Sequence, residues 1–266
     1  MLGTVLRAGE VLDLFTVDEP EWGVTDIAAE MGLCKSTAHT LLASLESIGL
    51  LEHAAASRRY RLGWRTLTLG RTALVSSVFR DAAQRVMHRM IEQYGETMHL
   101  AAWDRGAPTC VLRSQPRSGV RLPVDLTLTR RGVPAHVTSV GKVLLASRPA
   151  CELLQTLAGP DLEGTTANST LDRDLLATEL AGVRARGHAQ DREEAFEGIA
   201  CVAAPITFEG KVVAAVSMSA EAGRFAIHAH EYTTAITRAA HAVSVGIAVA
   251  TDAAESTSTP RALSYA

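Results

Sequence analysis

The stretch VTDIAAEMGLCKSTAHTLLASLESIGLLEHAAASRRYRL, residues 24–62, decides how the first part of this chain folds. Ile27, Ala28 and Met31 recur at three and four, predicting a short helix that Thr25 caps and Gly32 closes. After only Leu33 and Cys34 a second stripe begins at Ala38, continues through Leu41, Leu42, Leu45 and Ile48, and ends at Gly49. That helix leaves Lys35, Ser36, His39, Thr40, Ser44 and Ser47 largely on its other side. Leu50 to His53 and Tyr60 to Leu62 read as two short strands around a turn that carries Arg58 and Arg59. Upstream, Leu2, Val5, Leu6, Leu12 and Phe15 mark one more helix, broken at Asp18-Glu19-Pro20-Glu21. Helix, helix, turn, helix and hairpin make the plan of a winged helix-turn-helix.

That plan gives the polar side of the helix a purpose. A short turn braces it so that its N-terminal residues, Lys35, Ser36, Thr37, His39 and Thr40, can enter a major groove and meet base edges. Arg58 and Arg59 on the wing would neutralise phosphates without reading sequence. Charge is segregated to match: seven carboxylates fall between Glu10 and Glu30, whereas Ala54 to Arg80 holds six arginines and no carboxylate. A three-helix core used only for protein contacts has the same periodicity, so periodicity alone leaves both readings open.

Beyond the wing, Trp64, Leu67 and Leu74 mark a connector helix. A longer one takes up Val75, Val78, Phe79, Ala82, Val86, Met90 and Tyr94 before Gly95. The period then changes to two. Met98 to Trp103, Thr109 to Arg113 and Leu122 to Leu128 read as strands, followed by helices from Ser139 to Ser147 and from Leu171 to Arg186. Ile199 to Ile206 and Val212 to Met218 form a hairpin around Phe208-Glu209-Gly210. A last helix spans Ala229 to Ala250, and the Ser/Thr/Ala-rich residues 251–266 are expected to be disordered. The fold class is therefore α+β in two domains, the second with a mostly antiparallel sheet.

Composition excludes several functions. With 266 residues, 47% of them hydrophobic, the chain can bury two modest cores, and its net charge of −3 argues against an unselective coat on nucleic acid. No apolar run reaches the ~20 residues of a membrane span. Glu10 and Asp13 interrupt the start, so a cytoplasmic location away from membranes is expected. Cys34, Cys110, Cys151 and Cys201 form no CxxC pair and read as buried thiols, with no disulfide scaffold and no zinc site. No Gly-rich phosphate loop is present, and no cofactor is expected.

Two features of the second half suggest a ligand. If Thr138 or Ser139 caps the following helix, the N–H groups of Val140 and Gly141 face outward at the positive end of its dipole, where a carboxylate fits. Ser217 and Ser219 share one strand face, opposite to Val216 and Met218, and buried hydroxyls need partners. Either feature is equally consistent with simple capping or a backbone bond. Cys201, with His136, His188 and Asp191 in the same domain, raises the alternative of a cysteine hydrolase. Its apolar strand Ile199–Ala204 argues for an inert thiol. His228, His230 and Glu231 at a helix start read as a solvated turn rather than a metal site.

The chain resembles the IclR family of bacterial transcriptional regulators over nearly its whole length. DIAAEMGLCKSTAHTLLASLESIGLLE and RRYRLG resemble the family's winged helix; VPAHVTSVGKVLLA, ARGHAQDREEAFEGIACVAAPI and GKVVAAVSMSA resemble its effector-binding domain. The resemblance implies a DNA-binding domain at residues 1–62, a connector at 63–76, a GAF/profilin-like effector-binding domain at 77–250 and a tail at 251–266. It implies operator DNA and a small-molecule effector as partners, a homodimer or dimer of dimers, and no catalytic residue. It places the effector pocket at Ser139, Val140, Asp191, Cys201, Ser217 and Ser219, with apolar walls near Val133 and Ile199. The sequence departs from the family at Cys34, where proline is usual, and at Thr40, where arginine is common. The rival expectations are a hydrolase dimerised by its N-terminal domain and a DNA-binding module whose second domain only oligomerises.

Overall fold

The computed structural model describes residues 3–16, 19–54, 56–75, 78–104, 107–117, 133–151, 153 and 162–257. The chain divides into two compact units that separate between Ser76 and Ser77.

The first unit holds α1 (Gly3–Asp13), α2 (Val24–Glu30), α3 (Lys35–Ser47), β1 (Leu51–Ala54), β2 (Arg59–Leu62) and α4 (Trp64–Val75). Val11, Ile27, Ala38 and Leu42 are wholly buried in its core beside Leu45, Leu51 and Tyr60. Glu52 pairs with Arg61 and His53 with Tyr60 across the hairpin, and Trp22 extends it by exchanging backbone bonds with Tyr60 at 2.9 and 2.8 Å. Gly32 and Gly49 take the left-handed conformation that ends α2 and α3.

Some expectations change here. Gly23, not Thr25, is the N-cap of α2, and its N–H donates to the Asp26 carboxylate at 3.4 Å. The buried stripe of the first helix is Val11, Leu14 and Phe15, while Val5 and Leu6, a turn or more earlier, are exposed. Ile48 falls at the C-cap of α3, where the chain leaves the helix, and is exposed too.

The second unit is a five-stranded antiparallel sheet of order β4-β3-β7-β6-β5. Its strands are β3 (Thr97–Asp104), β4 (Ala107–Ser114), β5 (Ala189–Arg192), β6 (Ile199–Phe208) and β7 (Lys211–Glu221). Side chains alternate between faces. Met98, Leu100, Val202, Val216 and Met218 meet α5 (Val78–Tyr94) and α8 (Ala222–Thr257) on one face. Ala101, Ala189, Ala203 and Ala215 meet α6 (Ser139–Ala146) and α7 (Arg173–Arg186) on the other. The β6–β7 turn uses Glu209 and Gly210, both with positive φ.

The edge strand β5 has only four residues, and because its two buried positions are Ala189 and the polar Asp191 its sequence shows no apolar alternation, so the sequence reading missed it. The last helix starts at Ala222 rather than Ala229, so His228 and His230 lie within it rather than in a turn. It continues to Thr257, so residues 251–257 are helical rather than disordered; residues 258–266 and the expected strand Leu122–Leu128 lie outside the described residues.

Candidate effector pocket and DNA-reading helix

The side chains of Lys35, Ser36, Thr37, His39 and Thr40 all lie on the exposed side of α3. Thr40 Oγ1 donates to the Ser36 carbonyl at 3.0 Å and Ser44 Oγ to the Thr40 carbonyl at 2.8 Å, so part of this surface bonds to its own helix. Cys34, at the N-cap of α3, is exposed rather than buried. Bonds with Ser36 and Thr37 favour its thiolate and bring its pKa down to about 7. Cys151 is likewise exposed and Cys110 half-buried, so only Cys201 fits the expectation of buried thiols.

The two wing arginines differ. Arg58 is exposed in the turn, in the left-handed conformation. Arg59 is half-buried and folded back: its Nη2 meets Asp26 at 2.8 Å and the Glu21 carbonyl at 3.3 Å, tying β2 to the start of α2. The expectation that both arginines are available to phosphates therefore needs correction, because Arg59 already has an acidic partner.

In the second unit all eight residues expected at the pocket line one cavity of about 50 Å³. That is several times what a single water requires. Ser139 and Val140 come from the first turn of α6, Ser217 and Ser219 from β7, Cys201 from β6 and Asp191 from β5; Val133 and Ile199 complete this set. The register explains the convergence, because Ser219 pairs with Cys201 and Cys201 with Asp191 across three neighbouring strands. Cys201 Sγ donates to Ser219 Oγ at 3.1 Å.

The α6 N-terminus is capped by Thr138, whose hydroxyl accepts from Gly141 N at 3.0 Å. The N–H of Gly141 is therefore occupied, contrary to expectation. The helix's first two N–H groups, on Ser139 and Val140, are the ones that take no intrahelical bond. Gly141 has no alternative, since a Cβ there would run into the carbonyl of Ala135.

Asp191 is 2% exposed, and its Oδ1 accepts from the N–H groups of Glu194 at 2.8 Å and Ala195 at 3.3 Å. Burial pushes its pKa up to about 7, against the pull of those two bonds. Burial and then the nearby Asp191 raise the Cys201 thiol well above its ordinary range. A neutral thiol is a poor nucleophile. His188 does not line the cavity; its Nδ1 faces the Arg186 carbonyl. Cys201 and Asp191 thus meet in the cavity without either of the histidines suggested for a hydrolase, since His136 does not line it either.

Sequence reasoning missed the support beneath this pocket. Lys142 is fully buried, and its Nζ donates to Glu179 at 2.8 Å, to Glu194 at 2.7 and 2.6 Å and to the Gln190 carbonyl at 3.2 Å. Thr165 and Ser169 each donate to the Glu194 carbonyl at 2.8 Å, and Thr166 donates to that of Glu193 at 2.7 Å. Glu193 is held at a positive φ between these clamps. The turn that carries Asp191, Ala195 and Phe196 into the cavity is therefore fixed from behind. His99 and Arg113 also line the cavity and were not anticipated.

Two family models match this chain: the IclR helix-turn-helix domain over residues 4–55 and the bacterial transcriptional regulator IclR C-terminal domain over residues 71–245. The chain belongs to the IclR family of transcriptional regulators. It is 32% identical to the HTH-type transcriptional regulator XynR of Escherichia coli over 82% of this chain and 86% of that protein. It is 34% identical to the glycerol operon regulatory protein of Streptomyces coelicolor over 75% and 77% of the two chains. Among solved structures, an IclR regulator from Alicyclobacillus acidocaldarius superposes with a TM-score of 0.81 at 25% identity, covering 93% of this chain and 99% of that one. An IclR homologue from Microbacterium hydrocarbonoxydans, solved with 4-hydroxybenzoate, gives a TM-score of 0.78 at 24% identity over 92% and 99%. This IclR protein is accordingly a ligand-responsive transcriptional regulator that binds DNA and a small-molecule effector. Among the described residues no helix is long and apolar enough to cross a membrane.

Proposed function

We propose that the effector is a small organic acid whose carboxylate accepts from the N–H groups of Ser139 and Val140 while Ser217 and Ser219 bond its other oxygens. The convergence of all these groups on one cavity carries this reading. Partial positive charge at a helix N-terminus favours an anion, and bonds to an ionised acceptor are the stronger kind. Asp191, poised to hold a proton near neutral pH, then donates to a ligand hydroxyl or carbonyl instead of repelling it. The 4-hydroxybenzoate bound by the Microbacterium homologue is an acid of this kind. DNA is read by Lys35, Ser36, Thr37, His39 and Thr40, with Arg58 on a phosphate. Because one recognition helix reads few base pairs, the active species is a homodimer or a dimer of dimers on paired half-sites. The effector shifts the population between two arrangements of that assembly through its different affinity for each.

Isothermal titration with 4-hydroxybenzoate and its neutral amide tests the acid reading. Charge-assisted bonds make the acid tighter by about 1–2 kcal/mol. Equal binding of acid and amide would show that the helix end is only capped.

A further inference from the structure

We infer that His99 is a specificity-determining residue of the effector pocket, and that the effector is a hydroxy acid whose hydroxyl bonds its imidazole. This rests on the small-acid reading above, and it adds a polar contact on β3 to the one that Asp191 offers from β5. His99 lines the cavity and pairs with Ser217 of β7 in the sheet register. Directly opposed residues of antiparallel strands hold their Cβ atoms about 5 Å apart, so the imidazole reaches the same part of the cavity as the Ser217 hydroxyl. Ala101 shares this face of β3 and also lines the cavity, and neither it nor Ser217 is large enough to cover the ring.

The imidazole is half-buried, and among the described residues no hydrogen bond reaches it. Its neighbours in the lining differ in this respect. Thr138, Cys201 and Asp191 are already partly bonded within the protein, and Arg113, next to His99 on β4, already has a partner. Burial and then the charge of Arg113 bring the His99 pKa down to about 4, so at neutral pH the ring is uncharged and offers one donor and one acceptor. A hydroxyl both donates and accepts, so it matches the ring in either tautomer. A second carboxylate only accepts, and gains no charge-assisted bond from a neutral ring. The contact also discriminates, because an acid without the hydroxyl excludes water from the ring and gives it nothing in exchange.

Titration of the full-length protein with 3- and 4-hydroxybenzoate against benzoate, and with lactate and 3-hydroxybutyrate against propanoate and butyrate, tests the inference. At least one hydroxy acid is expected to bind roughly tenfold more tightly than its parent acid. His99→Phe should erase that preference while leaving the parent acid close to its wild-type affinity, with an unchanged circular dichroism spectrum confirming the fold. His99→Gln, which keeps a donor and an acceptor, should retain part of the preference. Asp191→Asn should leave a preference that still depends on His99. A merely structural role for His99 would weaken hydroxy acid and parent alike, and that result overturns the inference. So does equal binding of hydroxy and parent acids, or a preference that survives His99→Phe, and in each of these cases the small-acid reading stands. Failure of every acid to bind overturns both.

Discussion

Asp191 and the cysteines show what individual residues reveal about this pocket. A carboxyl whose folded pKa is about 7 binds a proton more tightly in the folded than in the unfolded chain, so its contribution to stability is present at low pH and is lost as pH rises from about 4 through 7. Asp191→Asn keeps an acceptor for the Glu194 and Ala195 N–H groups and cannot ionise. It should raise the melting temperature of the ligand-free protein at pH 8 and change it far less at pH 5, as thermal melts at both values would show. The thiols separate just as sharply. Iodoacetamide at pH 7.5 should label exposed Cys34 well before buried Cys201, read by peptide mass spectrometry, because only the former has a substantial thiolate fraction. Of these properties the sequence showed the apolar surroundings of Cys201, since they lie along one strand. It did not show the exposure of Cys34 or Cys151, because spacing between cysteines says nothing about burial. His99 and Arg113 were legible only as strand residues: alternation tells which neighbours share a face, not which face holds the cavity.

At the scale of elements, α6 and the wing carry the testable weight. Lys142→Met removes the cation between Glu179 and Glu194 and should cost about 3–5 kcal/mol in urea unfolding, because two largely buried carboxylates lose their partner. If the loss were below 1 kcal/mol, the lysine would not be what holds the turn at Glu194. On the wing, Arg58→Ala should lower the salt slope of DNA binding by about one unit without changing stability. Arg59→Ala should instead destabilise the first unit by about 1 kcal/mol, since its ion pair is half-exposed and screened while its bonds to Glu21 add modestly. Equal salt slopes for the two variants would contradict this division. The helix-turn-helix was legible because stripes at three and four, closed by Gly32 and Gly49, specify it locally. The inward turn of Arg59 was not, as its partner lies 33 residues away in sequence. The start of α8 at Ala222 was missed for a different reason: of its first seven residues only Phe225 is buried, so no apolar stripe marks them.

Among the described residues of the whole molecule, the first unit has its own core of Val11, Ile27, Leu42 and their neighbours, and the second unit packs one cluster on each face of its sheet. Scanning calorimetry should resolve two unfolding transitions, and a bound acid should raise only the one belonging to the sheet. At a hundred times its dissociation constant the gain is about 2.7 kcal/mol. A shift of both transitions together would mean that the units unfold as one. The two-domain plan was readable from the change of period after Tyr94, because a helical and a strand pattern cannot be confused over such lengths. One property of the sheet bears on how regulators like this one diverge. On β7, Val216 and Met218 serve the core while Ser217 and Ser219 line the cavity. A one-residue insertion would exchange those duties at a stroke, driving hydroxyls into hydrocarbon and thioether into the binding site. New effector preferences can therefore evolve along this strand by replacement of single letters. Changes of length are confined to the turn at Glu209 and Gly210, where an added residue leaves both inheritances intact.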